Sequence, residues 1–200
     1  MAIYMFNKPR GCVTARTDAE HRTVMDHFPP EMRESFSPVG RLDIDTTGLL
    51  LITDEGRLCH RLTSPEFHIP KTYFFCVFGH LDEELIPEFE SGLALRNFTA
   101  KPAALEILSH GRVEEAEEYM RQDRREQYMK NPKGEVSWGR LTIYEGKKHQ
   151  VKRMMKAVGC HILYLKREKM GELALDPELP EGSWRELSEE EERIIRSDNS

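Results

Sequence analysis

Val39–Thr53, with the sequence VGRLDIDTTGLLLIT, joins a polar loop to a continuous apolar run. The run Leu49–Ile52 has the length and composition of a buried strand, and the turn residues 54–56 follow it. Asp43 and Asp45 therefore lie on a loop that a sheet holds in place, which is a common position for reactive groups.

The two carboxylates of this loop differ in their neighbours. Two threonines follow Asp45, and a loop aspartate commonly accepts hydrogen bonds from its own backbone in a turn. Arg41 and Leu42 precede Asp43, which is the better catalytic candidate. From composition alone, the same turn role stays open for Asp43.

The segments on either side predict an α+β fold. Apolar, β-prone runs predict strands over Ile3–Phe6, Thr72–Phe78, Ala103–Leu108, Leu141–Tyr144 and His161–Leu165. Helical patterns and end signals predict helices over Thr23–His27, Arg57–Leu62, Asp82–Ser91 and His149–Val158, and a terminal helix opened by the Ser188 and Glu191 capping box. Strands and helices do not alternate strictly, so we expect a mixed, mainly antiparallel sheet with flanking helices.

The distribution of charge indicates a polyanionic partner although the net charge is −6. Residues 147–167 contain seven Lys or Arg and no Asp or Glu, whereas residues 172–192 contain nine acidic residues against Arg185 alone. This pattern favours a basic nucleic-acid-binding face over the alternative of one solvated helix face.

Composition excludes several classes of protein. With 200 residues, 38% hydrophobic and 32% charged, the chain has the balance of a folded globular domain. No apolar run reaches the ~18 residues that cross a bilayer, and the N-terminus lacks the pattern of a signal peptide. The four scattered cysteines favour a reducing cytoplasm, and no metal or disulfide framework is expected.

Residues 114–130 form an unusual segment. Acidic and basic residues nearly balance, with pairs such as Glu117 and Arg121 four residues apart, and the segment carries little apolar surface. We expect an exposed helix or a mobile insertion within residues 109–137. The insertion either contacts RNA or protein or has no function, and its near-neutral charge slightly favours the second alternative.

Four ordered motifs resemble the RsuA-like pseudouridine synthases over nearly the whole chain. GRLDIDTTGLLLITDEG at residues 40–56 is similar to the signature loop of that family, whose GRLD aspartate is the nucleophile. The other similar segments are NKPRG at 7–11, PKTY at 70–73 and EGKKHQVKRMMKAVG at 145–159 followed by LKREKMG at 165–171. The resemblance implies the pseudouridine synthase fold with a central basic cleft, and a reaction that needs no cofactor.

The resemblance also implies a role for each catalytic residue. Asp43 is the expected nucleophile, Tyr73 stacks on the detached uracil, and Leu165 packs beneath the base. Lys152 matches the basic partner of the nucleophile, a position at which many relatives carry arginine. Without the resemblance, Tyr73 and Leu165 read as core residues and Lys152 as a solvated lysine. The expected RNA contacts are Arg41, Lys71, Lys147, Lys148, Arg153, Lys156 and Arg167.

We expect a single catalytic domain over residues 1–200, with two lobes as one option and a charged insertion at about 109–137. Many family members begin with a small S4-type domain, whereas residue 1 here precedes the first catalytic strand. Substrate selection then falls to the catalytic domain, a partner or prior ribosome assembly. The expected enzyme is a cytoplasmic monomer that acts on ribosomal RNA, free or in an assembling particle.

The DIDTTG and KKHQVKRM segments favour small-subunit (16S) rRNA, and large-subunit (23S) rRNA is the alternative. Two other classes stay open. One is a non-catalytic RNA-binding or ribosome-assembly factor on the same scaffold. The other is a hydrolase that uses Asp43 and Asp45 as a carboxylate pair.

Overall fold

A computed structural model describes residues 1–131 and 133–197. The chain divides into two compact units, the first formed by Met1–Lys71 with Lys166–Ser200 and the second by Thr72–Leu165. Strands and short helices are mixed along both, so the fold is α+β, as predicted.

The first unit is built on antiparallel pairing around β1. Strand β1 pairs with β3 in the register Ile3↔Thr53 to Lys8↔Gly48, and β9 pairs with the other edge of β1. Strand β3 also runs parallel to β7 at Gly48↔Arg167, which makes the sheet mixed. The elements of this unit are β1 (Ile3–Lys8), α1 (Pro30–Arg33), β2 (Ser37–Pro38), β3 (Thr47–Thr53), α2 (Gly56–Thr63), β8 (Leu173–Ala174), β9 (Trp184–Glu186), α6 (Glu189–Ser197), the end of β7 (His161–Met170) and 3-10 turns at Val24–His27 and Pro65–Phe67.

The second unit contains the long hairpin of β5 and β6, whose register begins at Ala104↔Thr142. Its strands follow the order β5-β6-β4-β7. The elements are β4 (Lys71–Phe78, in this unit from Thr72), α3 (Ile86–Ser91), β5 (Ala104–Arg112), α4 (Gln122–Met129), β6 (Glu135–Ile143), α5 (Gln150–Ala157), the start of β7 and 3-10 turns at Glu83–Leu85 and Val113–Tyr119.

The apolar face of β3 explains why this strand forms. All seven residues of Thr47–Thr53 are buried, and Leu49 and Leu51 pack with Leu58 of α2 and Ile195 of α6. Burial of such side chains contributes about 1.5–3 kcal/mol each. The predicted strand Leu49–Ile52 is therefore confirmed and is longer at both ends.

The predicted opening of the terminal helix is also confirmed. Glu191 N–H donates to Ser188 Oγ at 3.2 Å, and Ser188 N–H donates to Glu191 Oε2 at 2.8 Å. This reciprocal pair satisfies two backbone donors at the start of α6.

Two predicted segments differ from the structure. The predicted helix Asp82–Ser91 is a 3-10 turn followed by α3, because Pro87 at the second helical position lacks the N–H that a continuous helix needs. The exposed helix predicted within residues 114–130 is confirmed as α4, which buries none of its residues, but the prediction of little apolar surface is wrong for the residues before α4. Val113 and Ala116 are fully buried against a cluster that includes Cys76, Val136 and Leu163.

Candidate active site

The loop before β3 holds Asp43 by its backbone. Thr46 N–H donates to the carbonyl of Asp43 at 3.0 Å, and Gly11 N–H donates to the carbonyl of Ile44 at 2.8 Å. The hydroxyl of Thr14 donates to the carbonyl of Leu42 at 2.7 Å. The side chains of Asp43 and its neighbour Asp45 are half-buried. The carboxylates are thus held in place by a rigid main chain and keep some access to solvent.

Lys8 anchors the same loop from below. Its side chain is fully buried, and its ammonium donates to the carbonyls of Pro9 at 3.0 Å, Thr46 at 2.9 Å and, more weakly, Ile44 at 3.4 Å. Three carbonyl acceptors match the three donors of an ammonium. Lys8 therefore fixes the turn that follows Asp43.

The charge of Lys8 also acts on the carboxylates. Burial lowers the pKa of Lys8, and the negative charges of Asp45 and Asp43 oppose this effect. A buried cation is retained where opposite charges lie close enough to offset its desolvation. The first unit therefore carries a positive charge within the electrostatic reach of Asp43 that sequence reasoning missed. The only signal for it was the NKPRG segment.

The first unit also brings together Lys71 and Arg167. Burial, with a smaller contribution from the charge of Arg167, lowers the pKa of Lys71 to about 8. Arg167 is 3% exposed and donates through Nε to the carbonyl of Leu49 at 2.8 Å. Gly48 permits this approach, because a Cβ at Gly48 would lie 2.3 Å from the carbonyl oxygen of Arg167.

The predicted residues of the second unit occupy strands and one helix. Tyr73 on β4 is 9% exposed and Leu165 on β7 is 5% exposed, so a base that reaches them must leave its stack first. Lys152 and Arg153 follow each other on α5 and are both half-buried, and consecutive helical side chains point about 100° apart.

A buried polar network shapes the loop before α5. Gln150 Nε2 donates to Glu145 Oε1 at 2.7 Å, and Lys147 N–H donates to Gln150 Oε1 at 3.0 Å. Lys101 N–H donates to the same Glu145 oxygen at 2.7 Å. His149 takes the left-handed conformation, with φ +55°, at the N-cap. Two buried residues that sequence reasoning left unassigned, Glu145 and Gln150, thereby present the exposed lysines 147 and 148.

Phe98 joins two of the predicted RNA contacts. Lys147 Nζ lies 4.0 Å and Arg153 Cζ 4.6 Å from the centre of the Phe98 ring. Cation–π contacts of this kind contribute about 0.5–1 kcal/mol at exposed sites. The structure thus groups two separated cations of the basic segment on one aromatic ring, a grouping that no motif in the sequence indicates.

The predicted RNA contacts differ in exposure. Arg41, Lys147, Lys148 and Lys156 are exposed, as a phosphate contact requires. Arg167 is buried and bonded to main chain, so its predicted contact with the RNA backbone is unsupported by its position. Lys71 is half-buried.

Within residues 1–131 and 133–197, no group of three or more His, Cys, Asp or Glu side chains is arranged to hold a metal ion. Over the same residues, no helix has the length and apolar character that a bilayer crossing needs.

Comparison with known proteins identifies the family. The model of the RNA pseudouridylate synthases matches residues 2–157, so the chain belongs to this family. It is an RNA pseudouridine synthase, an isomerase that converts uridine into pseudouridine.

Individual relatives agree with this assignment. The chain is 42% identical to the uncharacterized RNA pseudouridine synthase YtzG of Bacillus subtilis over 96% of this chain and 72% of that protein. It is 38% identical to ribosomal small subunit pseudouridine synthase A of Escherichia coli over 94% and 71%. A crystal structure of a pseudouridylate synthase superposes with a TM-score of 0.79 at 35% identity, covering 97% of this chain and 73% of that one. The predicted pseudouridine synthase fold is confirmed, while the central basic cleft stays a prediction.

Proposed function

We propose that this enzyme isomerises one uridine of small-subunit (16S) ribosomal RNA, with Asp43 as the nucleophile. The observation that carries the proposal is the loop of Asp43, a half-buried carboxylate on a main chain fixed by the buried ammonium of Lys8. The printed name of the Escherichia coli relative, a small-subunit synthase, supports the choice of substrate.

In the proposed reaction a carboxylate oxygen of Asp43 attacks C1′ of the flipped uridine, and the C1′–N1 bond breaks. The electron pair of that bond leaves with the uracil, which then turns. Its C5 attacks C1′ and displaces Asp43, while C5 loses a proton and N1 gains one. Nothing is consumed, and the carboxylate is regenerated.

The other roles follow from the needs of each step. Lys152 supplies positive charge that keeps Asp43 ionised. Tyr73 retains the detached uracil by stacking, which leaves the ring free to rotate in its plane, and Leu165 packs against the base. Arg41, Lys147, Lys148, Arg153 and Lys156 hold the phosphates of the surrounding RNA.

A matched pair of variants tests the nucleophile. Ribosomal RNA and small-subunit particles from a strain that lacks this gene are incubated with the wild type, Asp43→Asn and Asp45→Asn, and pseudouridine is mapped by chemical labelling. We expect Asp43→Asn to lose at least about 10³-fold in rate and Asp45→Asn less than about tenfold.

Each alternative predicts another outcome of the same assay. Equal modification by wild type and Asp43→Asn would refute the nucleophile. Absence of pseudouridine with every RNA and particle offered would favour a binding factor. Equal losses for Asp43→Asn and Asp45→Asn, with cleaved bonds, would favour a hydrolase. A new label in 23S instead of 16S rRNA would move the substrate to the large subunit.

A further inference from the structure

Arg167 carries a buried hydrogen-bond donor that nothing in the described chain satisfies. Nε bonds to the carbonyl of Leu49, whereas Nη2 is buried and has no hydrogen-bond partner within residues 1–131 and 133–197. An unpaired buried donor on a charged group costs more than the 1–3 kcal/mol of a neutral one. Such a group calls for an explanation, and a ligand that binds during function is one.

Lys71 places a second cation close to Arg167. Strands β4 and β7 are neighbours, and Gly171 N–H donates to the carbonyl of Pro70, the residue before Lys71, at 2.8 Å, so the end of β7 that carries Arg167 lies beside Lys71. In the part of the chain that the structure describes, no carboxylate lies in ion-pair distance of either residue. Two neighbouring cations without a counter-ion repel each other and are expensive to bury. The arrangement is therefore suited to a ligand that is negative or becomes negative.

The position along the strands indicates which ligand this is. Tyr73 follows Lys71 by two residues on β4, and Leu165 precedes Arg167 by two residues on β7. Side chains two apart on a strand project from the same face. Each cation thus shares a strand face with a residue proposed to hold the uracil.

The burial of Arg167 indicates whether the site beside it binds a base or a backbone phosphate. Arg167 is 3% exposed, and only one of its donors, Nη2, is buried and unpaired. A backbone phosphate is flanked by two sugars and commonly takes a fork of two donors from arginine. Each of the two carbonyl oxygens of a flipped uracil can accept a hydrogen bond from a single donor, which matches the one unpaired nitrogen of Arg167.

We propose that Lys71 and Arg167 bind a carbonyl oxygen of the target uracil and stabilise the negative charge that the base acquires when its glycosidic bond breaks. As Asp43 bonds to C1′, the electron pair of C1′–N1 passes to the uracil, and the charge of the carboxylate passes with it. When C5 bonds to C1′, the charge returns to Asp43. The interaction is stronger after bond cleavage than before it, so it accelerates the reaction.

This inference rests on the proposed function, and Lys71→Met tests it. Lys130→Met, at an exposed lysine directly after α4, is the matched control. Single-turnover rates are measured at saturating RNA. We expect Lys71→Met to lose about 100-fold, Lys71→Arg to lose less than tenfold, and Lys130→Met to match the wild type. Because removal of the half-buried charge of Lys71 removes its repulsion with Arg167, the thermal midpoint of Lys71→Met should be unchanged or higher.

A better leaving group sharpens the test. In RNA transcribed with 5-fluorouridine, fluorine withdraws electrons and the detached base carries its charge with less help. The loss caused by Lys71→Met should then shrink from about 100-fold to less than about tenfold. Because fluorine replaces the proton that C5 would lose, the rejoined fluorinated base takes up water at C6 instead. Pseudouridine has the mass of uridine, so the digested nucleosides are separated by chromatography, and the appearance of pseudouridine or of the hydrated fluorinated product gives the rate.

The outcomes separate this inference from the proposed function. A wild type that forms no pseudouridine contradicts the function itself. If Asp43→Asn is inactive while Lys71→Met keeps the wild-type single-turnover rate and only binds RNA more weakly, Lys71 contacts phosphate and the inference fails. It fails equally if Lys71→Met loses the same factor on both substrates, or if Lys71→Met unfolds and Lys71→Arg is inactive.

Discussion

The loop of Asp43 and residues 147–156 both carry charges for which we propose functions, and they hold them in opposite ways. In the loop, a fully buried lysine bonds to three main-chain carbonyls. In the segment 147–156, exposed lysines stand on a buried amide and carboxylate network, and Phe98 gathers two of the cations.

The difference follows from what each charge has to do. A charge that takes part in bond cleavage must be fixed and poorly solvated, because water weakens it and would have to reorganise during the reaction. A charge that attracts RNA must stay exposed and hydrated so that it can displace counter-ions from phosphates. Substitutions in the two regions should therefore fail in different assays.

Among the substitutions that compare the two regions, the largest effect is expected for Lys8→Met, with Lys130→Met as the exposed control. Loss of the ammonium leaves three carbonyls without their donor and releases the turn after Asp43. We expect a fall in kcat of about 100-fold and a decrease of about 3 kcal/mol in the free energy of unfolding. Urea unfolding and single-turnover assays check this. An active, fully stable Lys8→Met would show that the backbone alone holds the loop.

A smaller effect of another kind is expected for Lys147→Met with Lys148→Met. Each substitution removes one exposed positive charge. The slope of log affinity for RNA against log salt should therefore become shallower by about 0.7–0.9 for each lysine replaced. Affinity near 0.1 M salt should fall roughly tenfold while kcat at saturating RNA stays unchanged. A lower kcat without a change in slope would break the distinction between the two regions.

Phe98→Leu should weaken RNA binding by about fivefold, because Lys147 and Arg153 lose the ring that groups them. Phe67→Leu, at an exposed phenylalanine of the first unit, is the matched control. Filter binding at two salt concentrations measures both. An identical affinity for Phe98→Leu and wild type would mean that the two cations position themselves without the ring.

The buried core of each region was open to sequence reasoning. The apolar run Leu49–Ile52 predicts β3 because a strand buried on both faces needs no alternation. Ser188 and Glu191 predict the start of α6 because their hydrogen bonds are local in sequence. Elements that depend on hydrogen bonds between residues close in sequence, or on apolar composition alone, can therefore be predicted without knowledge of the fold.

The buried lysine was beyond that reasoning for a physical reason. Lysine is almost never fully buried, and Lys8 becomes so because it bonds to the carbonyl of Thr46, 38 residues later. Phe98 likewise meets its cations 49 and 55 residues further along the chain. Pairings over such distances exist only once the sheet has formed.

The buried face of residues 113–120 was missed although a signal was present. Val113, Ala116 and Met120 are spaced as one helical face, and all three are buried in the second unit. The many charges around them hid this short stripe. Charge balance therefore describes the exposed face of residues 113–130 and says little about the face that packs.

The smallest effect is expected for a substitution of Glu191. Its side chain is half-buried, between the buried Lys8 and the exposed lysines 147 and 148. Arg185 donates to both Glu191 oxygens, at 2.8 and 2.7 Å, and this lowers the pKa of Glu191 to about 2. A carboxyl whose pKa is lowered in the folded state stabilises the fold at pH values above its ordinary pKa, near 4.3. That contribution disappears as the pH falls towards 2.

Glu191→Gln should therefore lower the free energy of unfolding by no more than about 1 kcal/mol at pH 7, since solvent screens the pair. In urea unfolding, its difference from wild type should shrink between pH 4 and about 2, while Glu190→Gln behaves as wild type throughout. A difference that persists at the lowest pH would assign the loss to the helix cap rather than to the ion pair.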